Sequence, residues 1–359
     1  MASLLVLSLA SAQRFIIRYI DSCVFSLGAI GSLMNIVLFS RRHLRANSCC
    51  TYFLASSFAA LVLISFGIIP LIYAQFYSPN PFFTINAFCK IRAYINQWSA
   101  MSCRWLLAMA CVDRCVACSE NANIRHFFTV KKSWHITILI VFVWMVFPVH
   151  ALIFANIIPP GNIGCIMTPN VVAIYHGFYT IIMGGTFPPL IMLISTLFIW
   201  RSLKKRNKRR ALINVAGTER WKNSRDQQVL IILLAQVAIF LISAIPFMAN
   251  NIYTSLTRDI PNKSADRKAI EGFCQVIAEL FVYLYPASTF YSNTLVSGTF
   301  RKELLNIFTC FKSYYWWNKN RVTTITYTRT NNGTQEVPLT TTKRSQVSPY
   351  IPPRRCTNV

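Results

Sequence analysis

Residues 133–200 read SWHITILIVFVWMVFPVHALIFANIIPPGNIGCIMTPNVVAIYHGFYTIIMGGTFPPLIMLISTLFIW, a run that contains no Asp, Glu, Lys or Arg. The hydrocarbon core of a bilayer is about 30 Å thick, and about 20 residues of α-helix cross it. The run is therefore too long for one spanning helix, and Pro159-Pro160-Gly161 divides it into two. This part of the chain is predicted to cross a membrane twice.

The rest of the chain repeats this pattern. Further stretches without charged residues cover 22–40, 46–89, 227–257 and 280–300, and 93–112 contains only Arg104. Hydrophobic residues make up 54% of the chain and charged residues 13%, about half the charged share of soluble domains, which excludes a soluble globule. The predicted fold class is an all-α integral membrane protein, a bundle of seven transmembrane helices. The seven predicted spans are 16–39, 51–75, 90–112, 135–157, 171–200, 228–252 and 273–296.

The distribution of basic residues orients the bundle. Lys and Arg concentrate in the loops after the first, third and fifth spans and after the last span, whereas the loops after the second and fourth spans carry none. Cytoplasmic loops are enriched in Lys and Arg, so the amino terminus is predicted outside the plasma membrane and the carboxyl terminus in the cytosol. The predicted domains are an extracellular 1–15, a transmembrane 16–298, a short amphipathic eighth helix at 299–311 and a disordered cytoplasmic tail at 312–359. Ala10-Ser11-Ala12 leaves open whether a leader is cleaved or stays as a tail.

The net charge of +25 has two interpretations, a nucleic-acid partner or the membrane surface. The charge lies between long apolar runs, so attraction to anionic inner-leaflet lipid explains it, and no nucleic acid is expected. The basic run Lys204–Arg210 either contacts this leaflet and acidic partners or only fixes the topology.

Cysteine placement agrees with this topology. Of the twelve cysteines, Cys89 and Cys165 fall in the predicted outer loops, where oxidation can occur. A Cys89–Cys165 disulfide would tie the top of the third span to the second outer loop, with two unpaired thiols as the alternative. Cys and His spacings match no zinc pattern, and no metal or cofactor is expected. Asn262 opens an outer glycosylation sequon, and Cys310 is a candidate for palmitoylation beside the bilayer.

A set of single residues stands in the order of a known family. Its members are Asn35 in Gly31–Asn35, Cys89, the triplet Asp113-Arg114-Cys115, Trp144, Pro189 and Pro246. With seven spans in this orientation, the chain from about 20 to 310 resembles a rhodopsin-like (class A) G-protein-coupled receptor, and it is similar to peptide receptors among divergent invertebrate orphans. Cys89 and Arg114 are 25 residues apart, about seven helical turns, which is the family's separation between its disulfide cysteine and its cytosolic arginine.

The resemblance implies a switch at the cytosolic side. Asp113 would hold Arg114 in an inactive rotamer, and Asp226 before the sixth span would pair with Arg114. Breaking this pair would open a cleft for the carboxyl-terminal helix of a heterotrimeric G protein. The alternative is that Arg114 and Asp226 are boundary charges that obey the positive-inside rule. Phosphorylation of the tail by a receptor kinase would recruit arrestin.

Other positions in the membrane interior follow the family or depart from it. Pro189 and Pro246 would kink their helices, and Phe240, six residues before Pro246, matches an aromatic of the family's transmission core. The family's sodium-binding acid is replaced by Ala60 or Leu61, and the motif at Pro246 reads Ser-Ala-Ile-Pro without its tryptophan. A divergent activation mechanism is therefore expected.

Charged and amide side chains in the outer half indicate the ligand pocket. Arg104 should point into the bundle with Glu279 as its counter-ion, and a structural pair has more weight than ligand chemistry. Arg92, Asn96, Gln97 and Glu279 are the candidates for an anion- or amide-accepting ligand pocket, with the alternative that Arg92 only reaches toward lipid headgroups. Asn96 stands where the family's amine receptors have an aspartate. A peptide is therefore expected ahead of a monoamine, and a small-molecule ligand stays open.

Other membrane functions have less support. Paired carboxylates, a phosphate-binding glycine loop and a His-x-x-x-His helix are absent from the sequence, so the chain is not expected to be an enzyme. A transporter would show internal repeats, and a channel would show an acidic or polar series along a pore. The sequence contains neither pattern. A non-signalling or decoy seven-helix protein stays open because of the missing tryptophan and acid.

Overall fold

The computed structural model describes residues 3–77, 84–119, 129–157, 165–213, 218–257, 260, 262–298, 300–307 and 309, without the side chains at 43, 206, 207, 209–213 and 218–230. Residues up to Ser297 form one compact unit, and those from Gly298 onward form a second unit. In the second unit, residues 300–307 are helical. That this segment lies along the membrane as an amphipathic eighth helix stays a prediction.

Seven long helices make up most of the described first unit, in agreement with the predicted fold class. A short helix, Arg42–Arg45, connects the first two. The fourth helix comprises Val130–Val146 and Val149–Phe154, and the fifth comprises Asn170–Tyr179, Thr180–Thr186 and Phe187–Ile213. The other five are Leu4–Phe39, Ser48–Phe76, Asn86–Ala117, Thr218–Thr257 and Ala265–Val296.

Six of these helices are long and apolar enough to cross a membrane by length and composition. The exception is the third helix, Asn86–Ala117, which is 32 residues long but includes Lys90, Arg92, Arg104 and Asp113. It packs against the second, fourth and fifth helices. The polar composition of the third helix is thus compatible with its place inside the bundle.

The first helix begins at Leu4, twelve residues before the predicted start of the span at 16. The Ser3 side chain accepts a hydrogen bond from the Val6 amide and caps the helix. The part Leu4–Phe15 packs against the seventh helix. The segment expected to be an extracellular tail is therefore helical. Its apolar residues pack against the seventh helix, a contact that the sequence alone does not show.

The helical bundle is apolar on the outside as well as inside. On the fourth helix, Ile138 and Phe142 are 62% and 61% exposed, as expected for side chains that face lipid. Polar side chains instead bridge helices within the interior. Gln236 Nε2 donates to Asn293 Oδ1 at 2.8 Å, which connects the sixth and seventh helices.

Two of the predicted kink positions lie within helices. Pro246 lies inside the sixth helix, and the kink expected there stays a prediction. Pro189 lies in the first turn of Phe187–Ile213, directly after the π-helical turn Thr180–Thr186. Because proline has no amide N–H, the hydrogen-bond ladder must change where Pro188 and Pro189 enter, and the π-helical turn takes up this change.

A short hairpin lies between the fourth and fifth helices, in the loop predicted to be outside, and the sequence does not predict it. Ala155–Ile157 pairs antiparallel with Cys165–Met167, with Asn156 opposite Ile166. The fourth helix consequently ends at Phe154, and the predicted span to 157 is three residues too long. The chain is extended where it approaches Pro159-Pro160, which cannot continue a helix.

Candidate functional site

The amino-terminal end of the third helix, the outer end in the predicted orientation, is fastened to the hairpin. The predicted disulfide is confirmed: Cys89 and Cys165 are bonded, with their Cα atoms 5.5 Å apart. Asn86, one turn earlier, donates from Nδ2 to Asn156 Oδ1 at 3.3 Å and accepts from the Ile157 amide at 3.2 Å. One covalent bond and two hydrogen bonds thus hold the hairpin over this end of the bundle.

A cavity of about 350 Å³ lies beneath the hairpin, within the usual size range of small-ligand pockets. Its wall combines the hairpin with the third, fifth, sixth and seventh helices. Small residues of the fifth helix open the space, and amide and hydroxyl groups supply hydrogen-bond donors and acceptors. The lining residues are Ala93, Ala155, Cys165, Ile166, Met167, Ala173, Ile174, His176, Gly177, Asn251, Thr254, Ser255 and Gln275.

A chain of polar side chains leads from this cavity into the seventh helix. Asn250 Nδ2 donates to Gln275 Oε1, and Gln275 Nε2 donates to Glu279 Oε1 at 2.7 Å. The Glu279 carboxylate also attracts Arg92 of the third helix and repels the Asp21 carboxylate of the first. Glu279 thus links Gln275 of the cavity wall with a charge on the third helix.

The predicted pocket residues of the third helix do not line the cavity. Arg92 turns toward the second helix, where Nε donates to the Phe66 carbonyl at 3.1 Å and Nη2 to the Gly67 carbonyl at 2.8 Å. Gln97 donates to Thr180 Oγ1 at 3.0 Å. Asn96 Oδ1 is buried and accepts no hydrogen bond from the described residues. Ala93 is the cavity residue of this helix.

The prediction that Arg104 and Glu279 form an ion pair is wrong. No described carboxylate lies within 4.0 Å of the Arg104 guanidinium. Glu279 is at the level of Arg92, and twelve residues of α-helix separate Arg92 from Arg104 by about 18 Å. The two charges are therefore at different depths, and the seventh-helix register assumed from the sequence cannot bring them together.

Several of the expected core residues are buried where helices meet. Trp144 packs with Trp105 at a centroid distance of 5.3 Å. Phe240 meets Tyr285 edge to face at 5.1 Å. Asn35 Nδ2 donates to Thr289 Oγ1 at 3.3 Å, which joins the first and seventh helices.

A charged cluster occupies the carboxyl-terminal end of the third helix, which is the cytosolic end in the predicted orientation. Arg114 Nη2 contacts Asp113 Oδ2 at 2.7 Å, and Arg114 Nε reaches the same oxygen at 3.1 Å. Ser48, the first residue of the second helix, donates to Asp113 Oδ2 at 2.9 Å and accepts from Arg114 Nη2 at 3.1 Å. Asp113 is fully buried, whereas the Arg114 side chain is 18% exposed. The carboxylate and the hydroxyl hold the guanidinium at the edge of the bundle.

Three candidate residues remain predictions. The side chain of Asp226 and all of Cys310 lie outside the described residues, so neither the ion pair with Arg114 nor palmitoylation is tested. Asn262 is exposed and has a positive φ of 55°, and its glycosylation is not tested either.

Sequence reasoning missed residues that act through their neighbours. Ser48 has no motif of its own, and its role depends on the second helix starting beside Asp113. His150 Nε2 lies 2.9 Å from His176 Nδ1, a contact between the fourth and fifth helices. Asp21 is buried in the first helix. A charge in an apolar span was the available signal for Asp21, since such charges are costly unless a partner is near.

Seven helices with an apolar exterior, a disulfide at the outer end of the third helix and an Asp-Arg pair at its other end define a seven-helix membrane receptor. The family model described as "7 transmembrane receptor (rhodopsin family)" matches residues 32–287, more than half of the chain, and the chain belongs to this family. The family implies signalling through a ligand and G-protein partners, and its members are generally not enzymes. A search of curated proteins finds no match.

Proposed function

We propose that the chain is a plasma-membrane receptor with an extracellular amino terminus that transmits the binding of an extracellular peptide to heterotrimeric G proteins. The observation that carries this proposal is the division of the third helix. Its outer end borders the cavity, and its cytosolic end bears the Arg114 cluster. About 37 Å of continuous helix connects Cys89 with Arg114, so a displacement of one end of the helix can move the other end.

The chemistry of the cavity favours a peptide as the ligand. Its wall offers the side chains of Asn251, Thr254 and Gln275 beside the polypeptide of the hairpin. Amide side chains both donate and accept hydrogen bonds, as the backbone of a peptide requires. A neuropeptide of the kind bound by invertebrate receptors is the specific candidate, and a small molecule with several amide groups is the alternative.

The cytosolic cluster supports a two-state switch. In the arrangement described, Asp113 and Ser48 hold the Arg114 guanidinium through its Nε and Nη2 atoms. A ligand that stabilises an arrangement without these bonds would release Arg114 toward the carboxyl-terminal helix of a G protein. Asp226 is proposed as a further partner of Arg114 in the resting state.

Regulation is proposed at the cytosolic surface. The basic extension of the fifth helix would contact anionic lipid and acidic faces of the G protein. Phosphorylation of Ser and Thr residues in the tail by a receptor kinase would create charge for arrestin. Palmitoylation of Cys310 would anchor the segment after the seventh helix to the bilayer.

The test is a G-protein activation screen in cells with a peptide library and a small-molecule library. Wild type and Arg114→Ala are compared at matched surface expression, with Arg18→Ala as a control because Arg18 is exposed on the first helix and far from the cytosolic side. A ligand response that Arg114→Ala abolishes and Arg18→Ala keeps would support the proposal. Good surface expression without a response to any ligand or G-protein subtype would favour a decoy.

A further inference from the structure

Arg104 is a buried cation in the middle of the bundle. It lies ten residues before Arg114, about 15 Å along the helix from the cytosolic boundary and thus about halfway through the bilayer core. The residue is 7% exposed. Because a guanidinium does not lose its proton in proteins, the fold has to accommodate a full positive charge at this depth.

Several helices meet at this guanidinium. A Cβ atom at Gly184 of the fifth helix would lie 2.5 Å from Arg104 Nη1, so the absence of a side chain there makes room for the charge. The Cζ atom is 6.0 Å from the ring centre of Phe240 in the sixth helix. Tyr285 of the seventh helix interacts with the charge electrostatically.

The other two arginines of the third helix show what Arg104 lacks. Arg92 donates to two backbone carbonyls, and Arg114 donates to a carboxylate and a hydroxyl. Within the described ranges, the Arg104 guanidinium has no carboxylate within 4.0 Å, and the groups that interact with its charge are the Phe240 ring and the side chains of Tyr285 and Cys103. A guanidinium has five N–H donors, and one cation–π contact compensates only part of its desolvation.

We infer that the Arg104 guanidinium binds a small inorganic anion, chloride under physiological conditions, at the junction of the third, fifth and sixth helices. A monovalent anion supplies the missing negative charge and accepts hydrogen bonds from the guanidinium. The apolar surroundings of Phe240 and Met101 screen the charges weakly, so the attraction is stronger than in water. This inference concerns stability of the bundle and does not depend on the proposed ligand or G protein.

The experiment measures the thermal unfolding midpoint of the full chain in nanodiscs. Chloride is varied from about 1 mM to about 150 mM, with sodium gluconate keeping the ionic strength constant. Wild type is expected to gain about 2–4 °C along a single-site saturation curve, because an anion that binds only the folded state stabilises it. Arg104→Met is expected to show no chloride-dependent gain.

Arg18→Met is the matched control. Arg18 is also an arginine over an aromatic ring, with Cζ 4.6 Å from the centre of Phe76, but it is exposed. This variant should keep the gain of wild type. A wild-type midpoint that does not respond to chloride, or an equal response in Arg104→Met, would overturn the inference.

A second variant keeps the test decisive if Arg104→Met does not fold. Arg104→Lys keeps a positive charge but offers a single ammonium in place of the planar fork. It is expected to need a several-fold higher chloride concentration for half of the gain in midpoint. A chloride curve identical to that of wild type would count against an anion on this side chain.

Discussion

The two ends of the third helix are held in different ways. At the outer end, Cys89 is bonded covalently to the hairpin, and Arg92 donates to main-chain carbonyls of the second helix. At the cytosolic end, the described contacts of the Arg114 guanidinium are with the side chains of Asp113 and Ser48. The disulfide does not open without reduction, and the carbonyls that accept from Arg92 stay in place while their helix is intact, whereas at the other end both the donor and the acceptors are side chains that can rotate.

The difference suggests a division of labour along one helix. The outer end forms a frame that keeps the cavity in shape, and the cytosolic end forms a contact that can open. Changes at the outer end should therefore lower the free energy of unfolding. Changes at the cytosolic end should alter signalling with little effect on that free energy.

The largest effect is expected from loss of the disulfide. Cys89→Ser should lower the free energy of unfolding by about 2–4 kcal/mol, because the bond closes a loop between residues 76 positions apart. Thermal unfolding in nanodiscs measures this loss. Cys165→Ser should cost the same, and Cys23→Ser, at an exposed free cysteine, should cost almost nothing. Equal losses of unfolding free energy in all three variants would show that the disulfide does not stabilise the outer end.

Overpacking beside Arg92 should have the next largest effect. A Cβ atom at Gly67 would overlap the ring of Tyr283, which is buried in the seventh helix. Gly67→Ala should cost about 1–3 kcal/mol of unfolding free energy. The control is Gly272→Ala, whose new Cβ would have its nearest neighbour, Gln13 Nε2, at 3.4 Å. If both alanine variants unfold at the same temperature, the packing around Gly67 is looser than described.

A smaller effect is expected at Arg92 itself. Arg92→Lys keeps the charge but cannot reach both carbonyls with a planar fork, so it should lower the free energy of unfolding by about 1 kcal/mol. Arg92→Met should cost more, since both carbonyls lose their donor. Chemical denaturation of the three proteins side by side measures the order. A lysine variant as stable as wild type would show that the charge matters and the two hydrogen bonds do not.

The smallest effect belongs to the partly exposed ion pairs at the start of the seventh helix. Glu271 contacts Lys263 at 2.8 Å and Arg267 at 3.0 Å. Glu271→Gln should cost less than about 1 kcal/mol, and the loss should shrink as salt is added. Unfolding midpoints at low and high ionic strength check this. A larger loss that salt does not reduce would show that these ion pairs also belong to the rigid frame at the outer end.

Much of the fold could be predicted because lipid imposes a simple rule. Charge-free stretches located seven helices, and the outer positions of Cys89 and Cys165 led to the disulfide that the structure contains. Helix ends were less predictable, since they depend on neighbours. The first helix extends back to Leu4 because it packs on the seventh, and the fourth ends at Phe154 because a hairpin follows.

The candidate site was less predictable than the fold. A charged residue in a predicted transmembrane span shows that a charge is buried, but it does not show which way the side chain points. Arg92 was assigned to the pocket, yet it bonds the second helix, and Glu279 was assigned to Arg104 at a depth where it meets Arg92. Helix rotation and depth decide these contacts. The π-helical turn Thr180–Thr186 also shifts register in a way that composition does not reveal.

The most direct test of the cytosolic switch is ligand-free nucleotide exchange on purified heterotrimeric G proteins by the chain in nanodiscs. Ser48→Ala should raise basal exchange about tenfold, equivalent to about 1.4 kcal/mol, because Arg114 loses a hydrogen-bond partner that holds it in the resting arrangement. Ser26→Ala, which removes a hydroxyl bonded within its own helix at 2.9 Å, should leave exchange unchanged. Adding Arg114→Ala to Ser48→Ala should return exchange to background. Exchange that Ser48→Ala does not raise, or that survives the double substitution, would contradict the account.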